Sequence, residues 1–129
     1  MKARITLIMF LFMSQLLFAN NLSQHDMMQQ KIINETITNI YDDFQANVFT
    51  CINVVKLSKG KVSKEECEKH LSSTNKECAT LAKENIKTVL SQNDALNLMD
   101  ILVSCPVIKM MGKKYEIIDG KPVYNIKMN

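Results

Sequence analysis

CEKHLSSTNKEC, residues 67–78, sets two cysteines around a polar tract with almost nothing to bury. Whether Cys67 and Cys78 bond to each other or reach elsewhere decides the fold. If the stretch belongs to one continuous helix, the two stand about 16 Å apart along its axis, at ~1.5 Å per residue. A disulfide needs Cα atoms within about 7 Å, so each cysteine would need its own partner. If the chain turns at Ser72-Ser73, the two come level and can pair. Local signals are divided. Ser63 and Glu66 form a capping box ahead of Cys67, and Cys67, Leu71, Thr74, Cys78, Leu81, Asn85 and Val89 continue one helical stripe. Yet Ser72, Ser73, Thr74 and Asn75 are weak helix formers in succession, and Thr74 with Glu77 reads as a fresh cap. Residues 64–90 are therefore one helix or a short helix followed by a longer one.

Upstream, Ser23 caps a long periodic segment with Asp26 three residues on. Met28, Ile32, Ile37, Ile40, Tyr41, Phe44, Val48, Ile52 and Val55 form its apolar stripe. The segment is expected to end near Leu57, because Gly60 can take a left-handed conformation. Its length favours one bend or break on the way. Downstream, Ser91 and Asp94 start a helix that is apolar nearly all round (Ala95, Leu96, Leu98, Met99, Ile101, Leu102, Val103). This predicts the central helix, with Pro106 ending it. The final stretch, YEIIDGKPVYNIKM, sets an Asp-Gly turn between short β-favouring runs. A two-residue turn pairs Tyr115 with Tyr124, Glu116 with Val123, Ile117 with Pro122 and Ile118 with Lys121. Pro122 confines its strand to an edge. An isolated hairpin is marginal, so this one must lean on the helices.

The 129-residue chain opens MKARITLIMFLFMSQLLFANN. A basic head at Lys2 and Arg4, a short apolar run and a small residue at Ala19 give the order of a secretory signal peptide over residues 1–19. Residues 20–129 are then one domain, with helices to 105 and a hairpin segment over 106–129. The expected class is mainly α: a small disulfide-stapled bundle of three or four helices with a short C-terminal β-hairpin. Richness in Lys, Asn and Ile fits AT-rich coding, which places the exported chain in a bacterial periplasm or outside the cell.

Four cysteines, Cys51, Cys67, Cys78 and Cys105, remain in that chain. An even number in an oxidising compartment reads as two disulfides. Cys51 and Cys67 are nearly symmetric about the turn at Gly60, and Cys78 and Cys105 about the turn at Ser91 to Asn93. Antiparallel helices bring such positions level, which favours Cys51–Cys67 with Cys78–Cys105. A turn at Ser72-Ser73 would instead nest Cys67–Cys78 inside Cys51–Cys105, and a crossed pattern is the third arrangement.

Composition and motif spacing exclude several functions. Without Lys2 and Arg4, fourteen lysines face thirteen acids, a net charge of +1, and no arginine is left. Arginine is the main bidentate reader of guanine and phosphate, so no nucleic-acid partner is expected. Cys67 and His70 stand at i and i+3, but the paired Cys-x2–4-Cys units of structural zinc are missing, and no metal is expected. There is no Cys-x-x-Cys redox motif and no Gly-rich phosphate loop. Asp42 and Asp43 diverge on a helix and read as a solvated face. His25 and His70 have no evident partner for nucleophilic work. The expectation is a protein that is not an enzyme, carries no cofactor and has no stable membrane insertion once the signal is removed.

What remains points to protein binding. Residues 106–129 carry five lysines against Glu116 and Asp119, or +3, whereas residues 20–105 carry nine lysines against eleven acids, or −2. Lys113, Lys114, Tyr115 and Tyr124 are the candidate partner-binding residues, since tyrosine is favoured at hot spots and an edge strand can extend a partner's sheet; the alternative is that one face of the hairpin caps the core while its lysines stay solvated. The first reading is an exported, non-enzymatic protein-binding module, such as a periplasmic inhibitor or immunity protein that neutralises a toxin or enzyme. The alternative is a small apolar-ligand carrier with its pocket between the stripes of Met28 to Val55 and Leu96 to Val103.

Overall fold

The computed structural model describes residues 24–124, so the expected signal peptide and the Ser23 cap lie outside the described residues. In chain order the elements are α1 (residues 24–41), α2 (Phe44–Leu57), α3 (Lys64–Asn85), α4 (Gln92–Met110), β1 (Glu116–Ile118) and β2 (Lys121–Val123). This is a small disulfide-stapled helical bundle with a two-stranded C-terminal hairpin.

The long first segment breaks once, as its length favours, into two helices. Asp43 is extended (φ −72°, ψ 118°), and its carboxylate accepts from the Ala46 N–H at 2.9 Å. Asn47 Nδ2 donates to the Tyr41 carbonyl at 2.8 Å, which satisfies an acceptor freed where α1 stops. Asp42 and Asp43 thus form a joint, with Asp43 as the α2 N-cap, rather than a solvated helix face. The break resets the helical phase. Gln29, Ile33 and Ile37 turn inward on α1 and Cys51 and Val54 on α2, while Met28, Ile32, Phe44 and Ile52 of the expected stripe face solvent. The exit from α2 follows expectation: Gly60 (φ +77°) donates its N–H to the Val55 carbonyl at 2.9 Å.

The opening question is answered by α3, which runs unbroken for 22 residues. Ser63 caps it by accepting from the Glu66 N–H at 3.1 Å. The weak helix formers stay helical because their side chains are satisfied in place. Ser73 Oγ and Thr74 Oγ1 each donate to the His70 carbonyl at 3.0 Å, and buried Asn75 donates to Asn47 Oδ1 on α2 at 3.2 Å. Cys67 and Cys78 therefore reach different neighbours. Cys51–Cys67 joins α2 to α3 across 5.7 Å between Cα atoms, and Cys78–Cys105 joins α3 to α4 across 5.9 Å.

Ser91 starts α4 by accepting from the Asp94 N–H, and Asp94 Oδ2 reaches back to the Leu90 N–H at 3.0 Å. The helix does not end at Pro106. It passes through that proline to Met110, so the helical part extends five residues beyond the expected boundary at 105. A proline in a helix interior costs ~3 kcal/mol. Here Val107 and Ile108 beyond it are buried, and each contributes about 1.5–3 kcal/mol, which outweighs the defect. Burial of α4 is one-sided at its start: Leu98, Ile101 and Leu102 point inward, while Leu96, Met99 and Val103 stay exposed.

The hairpin has the expected register: Glu116 opposite Val123, Ile117 opposite Pro122 and Ile118 opposite Lys121. Asp119 (φ +53°) and Gly120 (φ +72°) supply the two left-handed residues that a tight I′ turn needs. Ile117 and Tyr115 lie against the larger apolar cluster, which supports the hairpin.

Candidate protein-docking surface

Tyr115 does not stand on the surface. It is 8% exposed and belongs to the core that Ile37 of α1, Ala82 of α3 and Leu102 of α4 also enter. Its hydroxyl shares a 2.8 Å hydrogen bond with Ser104 Oγ, and its ring stacks on Tyr124 with centroids 5.8 Å apart. Burial is the main cause that pushes the Tyr115 phenol up to about 12, with the charges of Asp100 and Tyr124 adding and the Ser104 bond opposing. Tyr124 lies at the edge, 37% exposed, and donates to Asp100 Oδ1 at 3.3 Å. Partial burial, then the nearby Asp100 carboxylate, raises its pKa. Lys113 and Lys114 are exposed. Lys114 pairs with Glu116, whose hydrogen bond and charge hold the ammonium pKa up. Of the four candidate residues, the structure leaves Lys113, Lys114 and Tyr124 on the surface and uses Tyr115 to anchor the hairpin.

One concave feature lies at the α1–α2 joint. There α3 and the joint enclose an open groove of about 460 Å3, lined on one side by Ile37, Thr38, Tyr41, Asp42, Phe44, Asn47 and Val48 and on the other by Glu68, Leu71, Ser72, Asn75, Lys76 and Ala79. The sequence makes this groove twice over. Asp43 stops one helix and starts the next, and the small or short side chains Ser72, Asn75 and Ala79 recede on α3. Phe44, the first residue of α2, is thrown outward by the break and is 80% exposed. The Tyr41 hydroxyl points inward, buried and without a hydrogen-bond partner among the described residues, and burial is the main cause that raises its pKa.

Other features carry less. A second open groove of about 540 Å3 lies between α1 and the end of α3, lined by Asp26, Gln30, Ile33, Asn34, Lys83, Ile86, Lys87 and Thr88. Neither groove runs between α1–α2 and the Leu96 to Val103 stretch, where the expected carrier pocket would lie. All four cysteines are in disulfides and offer no thiolate. Among the described residues no group of three or more His, Cys, Asp or Glu side chains could hold a metal ion, and no helix is long and apolar enough to cross a membrane. His25 and His70 are exposed on α1 and α3.

The sequence anticipates one break in the long first segment, but not its place at Asp43 or the outward Phe44. Their signal is the tetrapeptide Asp43-Phe44-Gln45-Ala46, an N-cap aspartate three residues ahead of the amide it accepts. No protein-family model matches the chain, and no characterised protein and no solved structure matches it either.

Proposed function

We propose that this is an exported protein-binding module, of the kind that inhibits an enzyme or neutralises a toxin in the periplasm or outside the cell. One observation carries the reading. Phe44, Phe49 and Ile52 on α2, and Leu96, Met99 and Val103 on α4, face solvent. Scattered exposed apolar residues are ordinary, but contiguous apolar patches mark surfaces that meet another protein, and Leu96, Met99 and Val103 recur at i, i+3 and i+7 on one face of α4. Two buried disulfides fit an oxidising compartment, where a small domain gains most from such staples. Lys113, Lys114 and Tyr124 add a basic, part-aromatic patch on the hairpin. The carrier reading draws on the groove volumes, which fall in the range of small-molecule sites. Both grooves are open, however, and would leave much of a ligand in water.

Purification from its native compartment tests the choice. A stoichiometric complex with one protein, whose activity falls on adding the purified chain, is the expected result. Recovery of an apolar small molecule and no protein would favour the carrier.

A further inference from the structure

We propose that Cys51–Cys67 is a redox switch: a dithiol, of the kind that disulfide-exchange proteins carry, reduces it ahead of Cys78–Cys105 and so releases α2 from the rest of the bundle. The inference goes beyond the protein-binding reading and does not rest on it. Burial does not separate the two bonds, since each of the four cysteines is at most 1% exposed. What separates them is the structure that holds the thiols together once a bond is cut. A cut disulfide recloses in proportion to the effective concentration of its two thiols. Cys78 and Cys105 lie among Ile33, Leu98, Ile101, Leu102 and Ile108, a core that keeps the pair together without the bond. Cys51 and Cys67 share their cluster with just three other buried residues, Val54, Leu71 and Val107, and with the half-buried Leu57, Val62, Met110 and Met111.

The helix that carries Cys51 is also jointed at both ends. Asp43 is extended where α1 stops, and Lys59 and Gly60 are both left-handed (φ +54° and +77°) where α2 gives way to α3. Of the α2 side chains, Cys51 and Val54 are the buried ones, and among the described residues none belongs to the larger cluster. The Asn75–Asn47 bond, at 3.2 Å, is the one side-chain hydrogen bond between α2 and α3 among the described residues. It ties down the start of α2 and leaves the part from Cys51 to Leu57 free to swing. In the reaction a donor thiolate bonds to Cys51 Sγ, and Cys67 leaves as a thiolate and takes a proton. The donor's second thiolate then displaces Cys51 from the mixed disulfide, and Cys51 takes the second proton. The donor gives up two electrons and two protons and ends as a disulfide. Release bares Val54, Leu71 and Val107 together, an apolar surface that the oxidised protein conceals.

Equilibration of the native protein with graded ratios of reduced to oxidised dithiothreitol, followed by acid trapping, alkylation and peptide mass mapping, tests this. Cys51–Cys67 should be half open at a ratio about tenfold lower than Cys78–Cys105. In the singly reduced protein, hydrogen exchange should reach the amides from Cys51 to Leu57 while those of Ile101 and Leu102 stay protected. In concentrated guanidinium chloride the order should reverse. There the clusters are gone, and the shorter loop, with a sequence separation of 16 against 27, recloses about twofold more readily. Bonds that open together in the native protein, Cys78–Cys105 opening first, or an order that the denaturant leaves unchanged would each overturn the switch. A singly reduced protein whose α2 amides stay protected would overturn it as well. So would loss of all protection at the first reduction, because the larger cluster has to stand alone.

Discussion

The two apolar clusters of this protein each contain one disulfide, but they are built differently. The larger gathers eleven buried residues from α1, α3, α4 and the hairpin side, among them Ile33, Ile101, Leu102 and Tyr115. The smaller has five, Cys51, Val54, Cys67, Leu71 and Val107, and two of these five are the disulfide itself. In the larger cluster the disulfide reinforces a core that has other means of support. In the smaller it is much of the core. The groove at the α1–α2 joint spans the boundary between them, with Ile37 on one side and Leu71 on the other, so the firmness of α2 governs the shape of the groove.

Removing the disulfides separates the two cases most sharply. Chain entropy alone assigns about 3 kcal/mol to the Cys51–Cys67 loop and about 3.6 kcal/mol to the Cys78–Cys105 loop, given sequence separations of 16 and 27. The totals are close, but the distributions should differ. In a Cys51→Ala/Cys67→Ala variant, hydrogen exchange should show α2 amides losing protection while α3 and α4 keep theirs. In Cys78→Ala/Cys105→Ala the loss should spread over the whole chain. If α2 amides stay as protected as those of α4 in the first variant, the smaller cluster stands without its staple.

Core truncations sharpen the same contrast at a smaller scale. Ile101 and Val54 are both fully buried. Ile101→Ala leaves a cavity walled on all sides by the larger cluster and should cost about 3–4 kcal/mol. Val54→Ala deletes fewer groups from a cluster that can partly collapse, and about 2 kcal/mol is expected. Denaturant midpoints measure both. Equal losses would mean that the small cluster is packed as rigidly as the large one.

The parts of this contrast that the sequence reveals are those with local causes. The caps at Ser63 and Ser91 act on amides three residues away. The Asp119-Gly120 turn needs only its own backbone freedom. Helix rise along a continuous α3 keeps Cys67 and Cys78 apart, and the near-symmetry of each observed pair about its turn then favours that pairing over the crossed one. The failures involve distant contacts or competing periodicities. Tyr41, Phe44 and Val48 keep acceptable helical spacing across the joint, so the stripe concealed where the expected break falls. Pro106 would end an isolated helix, and only the burial of Val107 and Ile108 carries α4 past it. Tyr115 reads as a surface aromatic until Ser104, eleven residues away, is seen to hold its hydroxyl. The groove depends on residues of α1 and α3 lying some thirty positions apart, a juxtaposition absent from any window of sequence.

Tyr115 also gives the larger cluster a signature in alkali. Its folded pKa, about 12, is above the ordinary value of 10.0, chiefly because of burial. The unfolded chain therefore loses this proton first. The stability contribution is complete below pH 10 and declines as the pH rises from about 10 to about 12. Tyr41, raised in the same direction, steepens the decline. Tyr115→Phe should lower stability at neutral pH, through loss of the Ser104 bond, and flatten the fall above pH 10. An unchanged alkaline slope in that variant would place the titration in other groups.

Tyr41 supplies the smallest effect, and the one of opposite sign. Its ring lines the groove and packs on the larger cluster, but its hydroxyl is buried with no hydrogen-bond partner among the described residues. A buried polar atom that has given up water without replacement costs about 1–3 kcal/mol. Tyr41→Phe removes that oxygen and keeps the ring, so the neighbouring side chains lose little packing. The substitution should raise stability by about 1 kcal/mol, read as a higher denaturant midpoint at unchanged slope. The joint itself should be unaffected, because Asn47 holds the Tyr41 backbone carbonyl and not the phenol. A lower midpoint would mean that the hydroxyl is hydrogen-bonded in solution, most simply through a buried water shared with the neighbouring Tyr115. That outcome would convert an isolated cost into a link between α1 and the hairpin, and would tie the groove to the same network that secures the C-terminal segment.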